Sequence, residues 1–258
     1  MTEFTALTLD LGAPIARITL ARPERLNALS PDALAELIAA ADIVAATSAV
    51  KVVILRGAGR AFCAGFDLDA VGSGPIADQV DLGRRMADAV SGIPAITIAA
   101  IHGHCVGGAL VLAAACDIRI AAEGTRFAIP EVDFGIPLAW GGIPRLVREL
   151  GPALTKELVL SCRPFTAAEA HAVRFLNRVV PESDLDAEVE AMTASFATKP
   201  WFLIRHTKQL VDAVVEEAYP TRQSFRDAEI TMVALRDEES RAAMQRYLEA
   251  RGRRTPTT

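Results

Sequence analysis

One local pattern occurs twice in this chain and restricts its possible folds more than any other feature. A strand-like run ends in a glycine turn and then reads Cys-x-Gly. In the first copy Val52-Val53-Ile54-Leu55-Arg56-Gly57 leads to Cys63-Ala64-Gly65-Phe66; in the second Ile96-Thr97-Ile98-Ala99-Ala100-Ile101 leads through Gly103 to Cys105-Val106-Gly107-Gly108. Glycine at such a turn permits positive φ and lets a ligand approach the main chain. The second copy runs straight into Ala109-Leu110-Val111-Leu112-Ala113-Ala114-Ala115, a helix whose first amides are unpaired and point outward. Two such loops facing each other offer two N–H donors to one oxygen, the geometry of an oxyanion hole. Donors fixed before the reaction stabilise charge developing on a carbonyl oxygen, and losing one typically costs about 2.7–4 kcal/mol of barrier.

Around this doublet the first two-thirds of the chain alternates strands and helices. Residues 4–10 and 15–20 read as a hairpin around Gly12-Ala13-Pro14, and Ser30-Pro31 gives an N-cap with proline at the first helical position. Leu34, Leu37, Ile38, Ala41 and Val44 fall at the spacing that puts one stripe against a sheet. Segments 52–55 and 95–101 are apolar without alternation, as in strands buried on both faces, and a helix over 76–90 serves as the crossover. Short strands follow at 118–121 and 126–129. After about Gly141 helices dominate, over 143–150, 153–160, 167–174, 185–197, 201–214, 223–235 and 239–251, interrupted by Arg178-Val179-Val180-Pro181. An all-helical C-terminal third with a basic end is a packing appendage or an assembly element.

Composition removes several function classes. At 258 residues and 51% hydrophobic the chain can bury a large core. A net charge of -5 and a pI near 5.5 lack the basic face of a nucleic-acid binder. The start, Met1-Thr2-Glu3-Phe4, has no signal-peptide character, and no charge-free apolar run reaches membrane-spanning length. A cytoplasmic location without a membrane span is expected. Cys63, Cys105, Cys116 and Cys162 show no paired metal-ligand spacing and sit in apolar surroundings, so reduced core thiols and no metal site are expected. No Gly-x-Gly-x-x-Gly follows the first strand, which speaks against a dinucleotide-binding enzyme.

Five segments, Ile18-Thr19-Leu20-Ala21-Arg22-Pro23-Glu24-Arg25-Leu26-Asn27-Ala28-Leu29, Ala61-Phe62-Cys63-Ala64-Gly65-Phe66-Asp67-Leu68, Gly103-His104-Cys105-Val106-Gly107-Gly108-Ala109, Cys116-Asp117-Ile118 and Phe127-Ala128-Ile129-Pro130-Glu131, carry a resemblance. The sequence resembles the crotonase superfamily, the enoyl-CoA hydratase and isomerase family. The resemblance covers nearly the whole chain, in order. It implies an α/β fold, a spiral of repeated ββα units forming two sheets, with residues 1–199 as core and 200–258 as a helical assembly region. It further implies homotrimers or dimers of trimers, and an acyl-CoA thioester as substrate with no separate cofactor. The resemblance places the two oxyanion donors at the amides of Phe66 and Gly108.

Departures from the family pattern say more about the reaction. In family hydratases two carboxylates hold the attacking water, the first three residues past the donor glycine. Here that position is Val111, which can neither accept nor donate a proton. The second carboxylate matches Glu131. A lone glutamate in an apolar site can still carry a proton, because burial raises its pKa while an oxyanion hole acidifies the α-proton of a thioester. The pattern resembles the single-glutamate Δ3,Δ2-enoyl-CoA isomerases of fatty-acid and related acyl-CoA metabolism, in which Glu131 would take a proton from C2 and return it at C4. Other crotonase chemistry, hydration included, and non-catalytic acyl-CoA binding remain open; the retained Glu131 speaks against a pure binder.

Several residues keep two readings. Glu131 could instead cap a helix or pair with Arg145. Trp140, in Leu138-Ala139-Trp140-Gly141-Gly142, lines an acyl pocket or simply packs. Asp67 and Asp117 read as structural aspartates that tie turns, Asp67 beside the substrate path. His102 and His104 read as satisfied core histidines. The resemblance runs Arg22, Arg25 and Ala28, with Ala64, along the pantetheine and adenine of CoA, while Asp69 replaces a lysine frequent in the family. Arg251, Arg253 and Arg254 either reach a neighbouring subunit's CoA phosphates or form a solvated basic tail.

Overall fold

The computed structural model describes residues 4–71 and 74–252, apart from the side chains of Arg222, Gln223 and Phe225. Two sheets organise it. The larger has six strands in the order β1 (Leu7–Asp10), β2 (Ile15–Leu20), β3 (Val52–Gly57), β4 (Ile96–Ile101), β6 (Ile118–Ala122) and β9 (Arg178–Val180). Within this sheet, among the described residues, only the β1–β2 hairpin is antiparallel; β2, β3, β4, β6 and β9 run parallel. The smaller sheet has three strands, β5 (His104–Val106), β7 (Arg126–Ala128) and β8 (Phe165–Thr166).

The expected double burial of the central strands is present. Val53 and Leu55 of β3 face one core while Val52 and Ile54 face another; Ala99 and Ile101 of β4 alternate with Ile98 and Ala100 in the same way. The first core is closed by α1 (Pro31–Ala46), α2 (Ile76–Ser91) and α3 (Gly108–Ala114), the second by Leu185 and Val189 of α6 (Leu185–Ala197). Ser30 caps α1 by accepting from the Ala33 amide at 3.2 Å, worth about 1 kcal/mol. The buried Leu34, Leu37 and Val44 each contribute about 1.5–3 kcal/mol, so packing dominates over capping in holding α1.

The later helices depart from the sequence reading in detail. The run Gly142–Ser161 (α4) is broken at Gly151, whose φ of 76° and ψ of 163° leave helical space just before Pro152, as the reading of two segments requires. After α5 (Ala167–Ala172) and α6, α7 (Trp201–Ala218) continues four residues beyond residue 214. The stretch read as one helix over 223–235 is a 3-10 turn, Thr221–Arg226, followed by α8 (Asp227–Ala234). Within that turn the Ser224 hydroxyl donates to the Thr221 carbonyl at 2.6 Å, a local bond that competes with α-helical pairing. The last helix is α9 (Glu238–Glu249). No helix among the described residues is long and apolar enough to cross a membrane.

Asp117 ties a turn, as its sequence context suggests, and also anchors α7. Its Oδ2 accepts from the Thr97 amide at 2.7 Å, the Thr97 hydroxyl at 2.9 Å and the buried Lys208 ammonium at 2.7 Å. On its outward side α7 exposes Phe202, Leu203, Leu210, Val211 and Val214. Met244 and Leu248 of α9 turn the other way and bury against Phe134.

Candidate active site

The two Cys-x-Gly loops lie side by side and in register. Cys63 and Cys105 form a parallel bridge, with the Cys63 amide donating to the His104 carbonyl at 3.0 Å and the Val106 amide to the Cys63 carbonyl at 3.3 Å. Counting forward from that bridge sets Gly65 opposite Gly107 and Phe66 opposite Gly108. Gly65, at φ 89°, has no room for a side chain: a Cβ there would lie 2.4 Å from the Val106 carbonyl oxygen and 3.4 Å from the Gly108 nitrogen. Neighbouring amides are committed, Gly107 to the Ala128 carbonyl at 2.9 Å and Asp67 to the Leu29 carbonyl at 3.0 Å. Among the described residues the amides of Phe66 and Gly108 have no partner. Two free donors on adjoining loops, one opening α3, are suited to one oxyanion.

Glu131 meets this pair from the end of β7. A turn holds it there, with the Phe134 amide donating to the Pro130 carbonyl at 3.0 Å and the Ile136 amide to the Glu131 carbonyl at 3.0 Å. A Cβ on Gly107 would lie 2.5 Å from Glu131 Oε1. The carboxylate therefore rests on the bare backbone beside the second donor, and Gly107 adopts φ 56° and ψ -120°, a conformation close to glycine-only. Glu131 as a residue keeps some exposure, but its Oε2 is sealed from solvent without a hydrogen-bond partner. Burial pushes the carboxyl up to about 7, opposed weakly by its own backbone amide. Arg145 takes no part: its guanidinium pairs with Asp88 at 2.8 Å.

Val111 is fully buried and lines the cavity that holds Glu131. A Cβ on Gly142 would stand 2.9 Å from Val111 Cγ2, so the branched side chain is packed tightly on that flank. Trp140 both packs and lines the cavity. Its six-membered ring lies where a Cβ of Gly108 would be, 2.2 Å from Cζ3, and its pyrrole edge where a Cβ of Gly83 would be. Phe66 meets the indole edge to face, centroids 6.1 Å apart. Trp140 sits at φ 63°, and the adjoining Gly141 amide donates to Asp227 Oδ2 at 2.8 Å, so α8 fixes the loop.

The residues nominated for CoA form a cluster paired within itself. Asp67 is nearly buried and pairs with Arg22 at 2.9 Å and Arg25 at 3.1 Å while accepting from the Asp69 amide at 3.1 Å. Arg25 also pairs with Asp69. The Ala28 carbonyl accepts from Arg22, and the Ala64 amide donates to the Leu26 carbonyl at 2.9 Å. Asn27, buried at φ 56°, braces this segment by donating to the Ala58 and Ala61 carbonyls, both at 2.8 Å. His102 is buried against the Gly59 carbonyl at 2.9 Å. His104 corrects the sequence reading: it is exposed, because β5 turns alternate residues outward. Arg251 lies 3.5 Å over the Tyr247 ring; Arg253 and Arg254 lie outside the described residues.

A cavity of about 1010 Å³ joins these parts, reaching from Ala64, Phe66 and Gly108 past Glu131 to Met244 and Tyr247 of α9. The α9 wall is the element that sequence reasoning missed. Its signal was present: Met244, Tyr247 and Leu248 stand at i, i+3, i+4, an inward-facing stripe in a helix assigned to assembly.

The chain matches the family model described as enoyl-CoA hydratase/isomerase over residues 10–254. It is 29% identical over 253 residues to the short-chain-enoyl-CoA hydratase of Clostridium acetobutylicum, covering 96% of this chain and 97% of that one. It is 33% identical over 220 residues to the peroxisomal Delta(3,5)-Delta(2,4)-dienoyl-CoA isomerase of Arabidopsis thaliana, covering 78% of each. The crystal structure of an enoyl-CoA hydratase/isomerase from Xanthobacter autotrophicus Py2 superposes with a TM-score of 0.82 at 32% identity, covering 99% of this chain and 100% of that one. Paired Cys-x-Gly loops, a glutamate after β7 and a family match over almost the full length identify this chain as a member of the enoyl-CoA hydratase/isomerase family, with the crotonase fold.

Proposed function

We propose that the chain is a proton-transfer enzyme of the Δ3,Δ2-enoyl-CoA isomerase type, acting on an enoyl-CoA with Glu131 as base and no separate cofactor. The observation that carries this reading is the sealed, unpartnered Oε2 of Glu131 opposite an isopropyl group at Val111. A carboxyl held near 7 is poised to exchange a proton at neutral pH. The thioester oxygen accepts from the Phe66 and Gly108 amides, which acidify C2. Glu131 removes the C2 proton, charge collects on the thioester oxygen, and a proton delivered at C4 moves the double bond into conjugation. Water addition by the two-carboxylate route has no second carboxylate to use, even though the Clostridium relative is named a hydratase.

The test is a panel of 2-enoyl-, 3-enoyl- and saturated acyl-CoAs with the purified protein and Glu131→Gln. The amide keeps shape and hydrogen bonding but loses the base, so isomerisation of a 3-enoyl-CoA is expected to fall roughly 10²–10⁴-fold while acyl-CoA binding survives. Wild-type hydration at enzymatic rates, together with unchanged activity in Glu131→Gln, overturns the reading. The exposed apolar side of α7 supports assembly into a homotrimer or dimer of trimers; a monomer at micromolar concentration in sedimentation refutes that part.

A further inference from the structure

Tyr247 shares the catalytic cavity with Glu131 and has no role in the reaction as set out so far. Its ring packs at a tilt against Phe134, with centroids 5.3 Å apart and 55° between the planes, and Phe134 belongs to the same tight turn as Glu131. The two elements also approach closely at the backbone: a Cβ on Gly135 would fall 2.1 Å from the Ser240 carbonyl oxygen of α9. Arg251 covers the ring with its guanidinium 3.5 Å from the centroid and donates from Nη1 to the Tyr247 carbonyl at 3.2 Å. Among the described residues the phenol oxygen has no hydrogen-bond partner. The site thus holds an unpartnered carboxylate oxygen and an unpartnered phenol in one cavity, with Val111 offering nothing.

We propose that Tyr247 is the second catalytic group of this site, donating its phenolic proton to C4 of the enoyl chain while Glu131 holds the proton taken from C2. This rests on the isomerase reading and deepens it. As the C2–H bond breaks to Glu131, its electron pair enters a dienolate spread over the thioester oxygen, C2 and C4. The Tyr247 O–H bond then breaks, C4–H forms and the C2–C3 double bond is left. Glu131 ends protonated and Tyr247 as phenolate beside the Arg251 cation, which favours that anion; proton transfer from Glu131 to the phenolate restores both. Burial pushes the phenol above its ordinary range, with Arg251 pulling it down and Glu131 adding to the rise. It is therefore a neutral donor at the pH where Glu131 is a partly ionised base, and such a pair divides acid from base.

The experiment compares wild type, Glu131→Gln and Tyr247→Phe on a 3-enoyl-CoA in D2O. Phenylalanine keeps the ring against Phe134 and Arg251. In wild type the phenol, which re-exchanges with D2O after each product leaves, is expected to place solvent deuterium at C4. Tyr247→Phe is expected to lower kcat about 10²-fold with KM little changed, and to lose C4 label as Glu131 carries protium from C2 to C4 itself. Replacing Tyr247 with 3-fluorotyrosine, a more acidic phenol of nearly the same size, is expected to move the alkaline limb of the kcat profile to lower pH. Wild-type kcat and C4 label in Tyr247→Phe, or an unmoved alkaline limb, overturn the proposal while leaving Glu131 as base. Equal turnover by wild type and Glu131→Gln, or none by wild type, overturns both.

Discussion

The cavity has two walls built on different principles. The wall of paired Cys-x-Gly loops is held by backbone: a parallel bridge at Cys63 and Cys105, and committed amides on either side of the two free ones. The α8 and α9 wall is held by side chains, through Met244 and Leu248 on Phe134 and through Asp227 on the Gly141 amide. Backbone pinning suits the two free amides to the oxyanion role proposed for them, since such donors must be fixed before charge develops. A wall docked by a few side chains can be re-cut by substitution without disturbing those donors. On the isomerase reading proposed above, the backbone-held wall carries the electrostatics and the side-chain-held wall faces the acyl chain.

Two left-handed glycines set one wall against the other. Gly107→Ala forces a methyl group into the space of Glu131 Oε1, 2.5 Å away, at φ 56°. The carboxylate must shift, and about 1 Å of misplacement costs on the order of 10²-fold in rate. Gly135→Ala, at φ 77°, directs its methyl at the Ser240 carbonyl instead. Loosening α9 is expected to cost about 1–3 kcal/mol of stability and to weaken turnover of long acyl chains more than short ones. Kinetics over a chain-length series for both variants check this; equal losses at every length in the two would dissolve the distinction between the walls.

The backbone wall was readable because its determinants are local. Glycine spacing, the following apolar helix and the strand runs all lie within a few residues of Phe66 and Gly108, and Glu131 follows its strand by position alone. The side-chain wall was not readable in the same way. Nothing near Tyr247 or Met244 announces a partner at Phe134, and a helix with an apolar stripe fits an assembly surface as well as a cavity wall. Arg25 teaches the same lesson: its charge stands out in sequence, but Asp67 and Asp69 balance it only once the turn at residues 67–70 closes. His104 was misread because three residues of β5 are too few to reveal alternation.

The perturbed carboxyl of Glu131 also leaves a mark on stability. A carboxyl near 4.5 in the unfolded chain and near 7 in the folded one binds protons more tightly when folded. The stabilisation this gives is fully present below pH 4.5 and is lost as pH rises through 7. The loss is on the order of 3 kcal/mol. Glu131→Gln does not titrate, so the variant is expected to gain stability relative to wild type between pH 4.5 and pH 8 in denaturant titrations. Parallel pH profiles for the two proteins would show that Oε2 is solvated in solution and that its burial does not set its proton affinity.

The smallest expected effect probes the seam between the walls. Asp227 reaches from α8 to the Gly141 amide at 2.8 Å, next to Trp140 at its left-handed φ. Burial raises the Asp227 carboxyl, outweighing the lowering by that amide and by Arg145, so the bond is made at some desolvation cost. Asp227→Ala removes the acceptor and leaves an amide to find another partner, a net loss of about 1 kcal/mol and roughly 2–4 °C in Tm for a chain of this size. Asp227→Asn retains an acceptor oxygen and is expected to recover most of it. Phe66 and the Gly108 backbone press on the indole from the other wall, so the fluorescence of Trp140 should respond to the Ala change. A spectrum that moves without loss of turnover means that the backbone wall holds the two free amides unaided. A fall in turnover with Tm unchanged means that α8 helps to aim them.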